Sequence, residues 1–177
     1  AIYHQVPSFA FTDWDDTEYI SENALLKGLS GPQVATEFSR YVMGNYHPIT
    51  MLSYSAEISL FGKSPGAMHV TNLLLHLLNV VLVALFLRKL TKHHLLSALV
   101  ALLWAVHPMR VESVAWLSAR KDLLMLCSGL LMLLAYLQWR ERERPVWYLL
   151  AFAAFLFSGL SKAMAVSFVP CLLLIDL

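Results

Sequence analysis

Charge is scarce in this 177-residue chain. Asp, Glu, Lys and Arg make up 14% of it and hydrophobic residues 58%, against about 25% charged in ordinary soluble domains. A water-soluble domain of this size has too little polar surface to cover so much apolar side chain. The formal net charge is +1, and the bases are scattered among apolar runs without forming a stripe, which sets nucleic acid aside as a partner. Cysteine is nearly absent: Cys127 and Cys171 lie inside apolar segments, where the residue is a small hydrophobe and not half of a bridge or a metal ligand. No self-similarity of about 34 residues runs through the chain, so it contains no helical repeat array. No cleavable signal opens it, and its abrupt beginning and end read as those of a fragment.

What is abundant is apolar sequence in long segments. Four lie after residue 68, at 69 to 87, 95 to 106, 123 to 139 and 146 to 175, and a membrane span needs roughly 20 such residues to cross about 30 Å of hydrocarbon. The last segment would reach roughly 45 Å as one helix, and Gly159, Ser161 and Lys162 interrupt it. Two helices turning near Ser161 and Lys162 are expected there, giving an all-α membrane protein of about five membrane segments. The expected division is the end of a first transmembrane helix at 1 to 11, an extracytoplasmic loop with amphipathic helices at 12 to 68, and a helical bundle at 69 to 177.

The loop holds seven of the twelve acidic residues. Ser30, followed by Gly31, Pro32 and Gln33, reads as a capped helix start, and Val34, Phe38, Tyr41 and Val42 then share a face at helical spacing. Residues 50 to 61 fit either a helix or an alternating strand, and Gly62, placed as a C-cap, favours helix. The links 88 to 94 and 140 to 145 are short and basic, which places them on the cytoplasmic side and 12 to 68, 107 to 122 and 161 to 163 opposite. Arg110, Arg120 and Lys121 then sit on the side that disfavours bases, and an anionic ligand would account for them.

Three constellations could carry chemistry. Asp13, Trp14, Asp15 and Asp16 place carboxylates side by side, as a proton acceptor, a seat for a divalent cation, or simply a solvated acidic turn. His69, Asn72, His76 and Asn79 occupy an arc of roughly 80° on an otherwise apolar helix, over about 15 Å of its length. Polar groups at that depth face the bundle interior or a cavity, as interhelical glue or as part of a site. The run from His107 through Arg110, Glu112 and Trp116 to Arg120, Lys121 and Asp122 reads as internal ion pairs or as a phosphate clamp beside a carboxylate, which Lys162 could extend.

Taken in order, WDD at 14 to 16, NYHP at 45 to 48, HVTNLLLHLLN at 69 to 79, HPMRVESVAWLSARKD at 107 to 122 and LSKAMAV at 160 to 166 resemble one family. The chain is similar to the amino-terminal membrane region of the transmembrane and tetratricopeptide-repeat O-mannosyltransferases and their bacterial relatives, within the GT-C glycosyltransferase superfamily. The resemblance implies an inverting enzyme of the endoplasmic reticulum or bacterial inner membrane. It would take a sugar, mannose in the eukaryotic family, from a polyprenyl or dolichyl phosphate carrier to a protein hydroxyl on the lumenal or extracytoplasmic face. It implies no fixed cofactor beyond that donor and leaves a divalent metal at Asp15 and Asp16 open. By the same resemblance Asp15 or Asp16 is the catalytic base, and Arg110, Arg120, Lys121 and Lys162 bind the donor phosphate. His47, His107 and Glu112 orient sugar or acceptor, while His69, Asn72, His76, Asn79 and Trp116 line the cavity. The competing class is a non-catalytic membrane scaffold or transporter in which the same groups form a packing network or conduction path.

Overall fold

A computed structural model describes residues 2–176. Regular structure among them is helical, apart from one isolated bridge between Val42 and Asn45. The α-helices are α1 (Gly31–Ser39), α2 (Pro48–Phe61), α3 (Pro65–Thr91), α4 (His94–Ala105), α5 (Val111–Ala115), α6 (Arg120–Arg142), α7 (Pro145–Ser161) and α8 (Phe168–Asp176). Their limits follow from local chemistry. Pro48, Pro65 and Pro145 each open a helix, where the missing N–H costs nothing. Ser30 and Ser64 accept from the backbone N–H of Gln33 and Ala67, and α2 stops at Gly62, whose φ of 67° suits a residue without Cβ.

α3 and α6 lie side by side and parallel. At one end Arg120 donates to Asn72 Oδ1 at 2.7 Å and to the Met68 carbonyl at 3.0 Å. At the other, Lys89 Nζ donates to Gln138 and Glu141, both at 2.8 Å. The links 88 to 94 and 140 to 145 therefore share one end of the pair. Asp122 and Lys162, joined at 2.5 Å, and α2, whose Thr50 hydroxyl donates to the Ser161 carbonyl at 3.0 Å, lie at the other.

Among the described residues two helices are long and apolar enough to cross a membrane, α3 and the Leu117–Arg142 stretch that contains α6. The sequence leads one to expect about five segments, but the other helices are short. α4 has 12 residues, roughly 18 Å, and reaches span length only when paired with Pro108–Ala115 across a 64° bend. α7 has 17 residues and α8 nine. The expected break in the last apolar segment is present: α7 ends at Ser161 and α8 begins at Phe168.

The loop before α3 is not a loose cover. Tyr19, Ile20, Leu26, Met51, Tyr54, Met68 and Leu117 form one buried cluster that seals it onto the end of the bundle. A second cluster, built on Met132, Leu133 and Ala151, joins α6, α7 and α8. There Gly129 lets the Phe168 ring approach so closely that a Cβ would lie 2.1 Å from it.

Two details depart from the sequence reading. α1 ends at Ser39, so Tyr41 and Val42 leave its face: Tyr41 is exposed and Val42 pairs with Asn45. The buried side chain of α1 is Glu37, which accepts a hydrogen bond from the Ser55 hydroxyl. Residues 2 to 11 hold a 3-10 turn, Val6–Ser8, instead of the closing turns of an α-helix; Pro7 lacks the N–H a continuing helix would use.

Candidate functional site

A cleft of about 290 Å³ opens at the α2 end of the bundle, lined by His76, Trp104, Arg110, Glu112, Asp122 and Lys162 among others. The bend between α4 and α5 turns Pro108–Ala115 across the helix ends and thereby brings Arg110 and Glu112 to face the α6–α7 junction. Lys162 is paired with Asp122 at 2.5 Å. Arg110 has no carboxylate within ion-pair distance among the described residues and lies 5.4 Å from the centre of the Trp104 ring. Glu112 is exposed and likewise unpaired.

The four candidate phosphate binders therefore part company. Arg110 and Lys162 meet in the cleft. Arg120 is fully buried: it pairs with Glu57 at 2.6 Å, bonds to Asn72 and Met68, and covers the Tyr54 ring at 4.6 Å. Its place as a phosphate ligand is corrected to that of a structural ion, because no face of the guanidinium is left for a ligand. Lys121 points to the loop, 4.5 Å over the Tyr19 ring.

The acidic pair divides as well. Asp16 is buried and its carboxylate is filled: Oδ2 accepts from the Thr12 N–H and hydroxyl at 3.1 and 3.0 Å, and Oδ1 from the Ser118 N–H and hydroxyl at 2.9 and 2.5 Å. Asp15, half-buried, makes no hydrogen bond or ion pair among the described residues. Trp14 is 76% exposed and meets Trp116 edge-on at 6.2 Å. These contacts hold the acidic loop at the carboxyl end of α5, while the amino end of α5 lines the cleft. Among the described residues no group of three His, Cys, Asp or Glu side chains is placed to hold a metal ion.

His47 caps α2 and is buried against Tyr19, ring centres 5.2 Å apart, with Nε2 lacking a hydrogen-bond partner. Burial, reinforced by the nearby Lys121 charge, pushes its pKa down to about 4, so the ring is neutral at pH 7. Burial also drives the Tyr54 hydroxyl well above its usual range despite Arg120; that hydroxyl donates to the Leu117 carbonyl at 2.7 Å. His107 is exposed and caps the turn that follows it, accepting from the Met109 N–H at 3.2 Å.

The polar arc of α3 is buried entirely against protein. Asn72 bonds Arg120 and, at 3.5 Å, the Trp116 carbonyl; Asn79 donates to the Leu123 carbonyl at 3.0 Å; His76 Nε2 lies 3.1 Å from the Ala105 carbonyl. Of the four, His76 alone lines the cleft, and His69 packs edge-on against Phe9 at 6.0 Å. Glu57, Tyr19 and Ser118 do not stand out in the sequence. Glu57 carries a signal in retrospect, as the one acidic residue of an otherwise uncharged helix.

Apolar helices of span length, capped at one end by a sealed loop and a polar cleft, define an all-α membrane protein. Residues 47–177 match the family model described as dolichyl-phosphate-mannose-protein mannosyltransferase, and the chain belongs to that family. It is 37% identical over 98 residues to the protein O-mannosyl-transferase TMTC1 of Mus musculus, covering 55% of this chain and 10% of that protein. To TMTC3 of Homo sapiens, also a protein O-mannosyl-transferase, it is 30% identical over 118 residues, 63% of this chain and 12% of that one. The chain thus spans about a tenth of the length of the curated relatives it matches. No solved structure matches it.

Proposed function

We propose that this chain supplies one wall of the transfer site of a membrane glycosyltransferase. The enzyme would move a sugar, mannose on the family's name, from a polyprenyl or dolichyl phosphate carrier to a protein hydroxyl on the lumenal or extracytoplasmic face. The supporting observation is the cleft in which Arg110, lacking any carboxylate partner, stands with Lys162 at the ends of apolar helices. An unpaired guanidinium at headgroup depth suits a lipid phosphate. Asp15, whose lone pairs are free where those of Asp16 are filled, takes the acceptor proton as the hydroxyl oxygen attacks the anomeric carbon. The bond from that carbon to the phosphate oxygen breaks with inversion, and Arg110 and Lys162 hold the charge left on the phosphate.

Glu112 favours a second assignment of the base, because it is an unpaired carboxylate inside the cleft itself. Sugar transfer from a polyprenyl phosphate donor by the full-length protein separates the two. Asp15→Asn or Glu112→Gln, whichever removes the base, lowers turnover roughly 10²–10⁴-fold with donor binding kept. Arg110→Ala raises the donor KM by about tenfold or more, the value of a charge-assisted contact. Full turnover in both carboxylate variants together with an unchanged KM in Arg110→Ala would discard the reading and favour a packing scaffold.

A further inference from the structure

The opposite end of the bundle carries a second groove that the proposed transfer chemistry does not use. A groove of about 650 Å³ runs between α6 and α7, walled by Leu124, Leu131, Leu134, Leu150 and Phe157 and floored by small residues such as Ala154. From Leu124 to Gln138 it rises roughly 21 Å along α6, more than the roughly 15 Å depth of one leaflet's hydrocarbon. It continues into a cavity of about 590 Å³ at the links 88 to 94 and 140 to 145, and Lys89, Leu134 and Gln138 line both. That outer cavity is rimmed by Arg88, Lys89, Lys92 and His94 with Glu141.

Lys89 is spoken for by Glu141 and Gln138. The side chains of Arg88 and Lys92 are exposed and make no hydrogen bond or ion pair among the described residues. The rim therefore holds an excess of two positive charges over its one carboxylate, directly at the mouth of an apolar slot. Trp147, at the same mouth, is the kind of residue that settles at headgroup level.

We infer that this groove binds an anionic glycerophospholipid, one acyl chain lying between α6 and α7 and the headgroup phosphate held by Arg88 and Lys92. Charge selects the occupant: a zwitterionic headgroup brings its own cation and leaves the excess uncompensated, whereas an anionic one neutralises it. The apolar slot requires that the anion carry a chain.

Native mass spectrometry of the full-length protein, released from micelles holding equal phosphatidylglycerol and phosphatidylcholine, tests this directly. The wild type should retain phosphatidylglycerol in preference to phosphatidylcholine. In R88Q/K92Q that preference should fall by up to about thirty-fold, since each base near an anionic headgroup contributes about a factor of five. Leu131→Trp, which fills the slot and leaves the rim intact, should reduce retention of both lipids. Equal retention of the two lipids by the wild type, or an undiminished preference in R88Q/K92Q, would overturn the inference. So would a raised donor KM in R88Q/K92Q, because the groove would then belong to the sugar carrier; an unchanged KM keeps this site separate from the transfer cleft whatever becomes of that proposal.

Discussion

Asp16 and Ser118, 102 positions apart, are joined twice: one carboxylate oxygen accepts both the backbone N–H and the hydroxyl of the serine, at 2.9 and 2.5 Å. The buried carboxylate is thereby the rivet between the acidic loop and the turn before α6. Asp16→Asn puts an amide N–H₂ where two donors converge, so a loss of about 2–4 kcal/mol is expected, the scale of a buried charge-assisted contact left unmade. Asp15→Asn should leave stability within about 0.5 kcal/mol. Thermal unfolding of the full-length variants in detergent checks both; equal melting of the two would place Asp16 outside the framework.

The Arg120–Glu57 pair should behave as a buried ion pair. Removing one partner strands the other charge beneath the loop, and Arg120→Met or Glu57→Gln should each cost about 3–5 kcal/mol. The double variant should be less destabilised than the two singles combined, because neither charge is then orphaned. Additive losses in a double-mutant cycle would mean that the partners act independently.

His47 predicts an acid limb in stability. Its folded pKa of about 4 lies below the unfolded value of about 6.5, so between these the unfolded chain binds the proton that the folded chain refuses. Stability is complete above about pH 6.5 and falls as the pH drops towards 4, by up to about 3 kcal/mol in all. His47→Gln should flatten that limb relative to wild type. Parallel acid curves for the two proteins would refute the assignment.

Gly129 predicts a compensating pair. A Cβ there would lie 2.1 Å from the Phe168 ring, so Gly129→Ala should push α8 off α6 at a cost of about 1–3 kcal/mol. Combining it with Phe168→Ala should cost less than the two losses added together. Hydrogen exchange along α8 in the single variant reads the displacement.

Much of the framework is legible in the sequence. Ser30, Gly62 and the break at Ser161 and Lys162 are local signals, and local chemistry decides helix ends. The burial of His69, Asn72, His76 and Asn79 followed from cost, since a polar arc on an apolar helix has no other affordable direction. The division of Arg110 from Arg120 was hidden. The two are ten positions apart in one basic run, and what separates them is the break at Trp116, which lets α5 lie across the helix ends while Arg120 turns inward beneath α2. Its partner Glu57 is 63 residues away, and no periodicity links them. Asp15 and Asp16 were indistinguishable for the same reason: the donors that fill Asp16 come partly from Ser118.

The polar face of α3 also sets a timetable. Its bonds run forward in the chain, from His76 to the carbonyl of Ala105, from Asn72 to that of Trp116 and from Asn79 to that of Leu123, separations of 29, 44 and 44 residues. At about 5–20 residues per second, ribosomes need roughly two to nine seconds to supply the last of these partners. Throughout that interval α3 presents unmet amide and imidazole groups, each costing several kcal/mol if surrendered to lipid. The polar arc of α3 can therefore be sealed only once the start of α6 has been made.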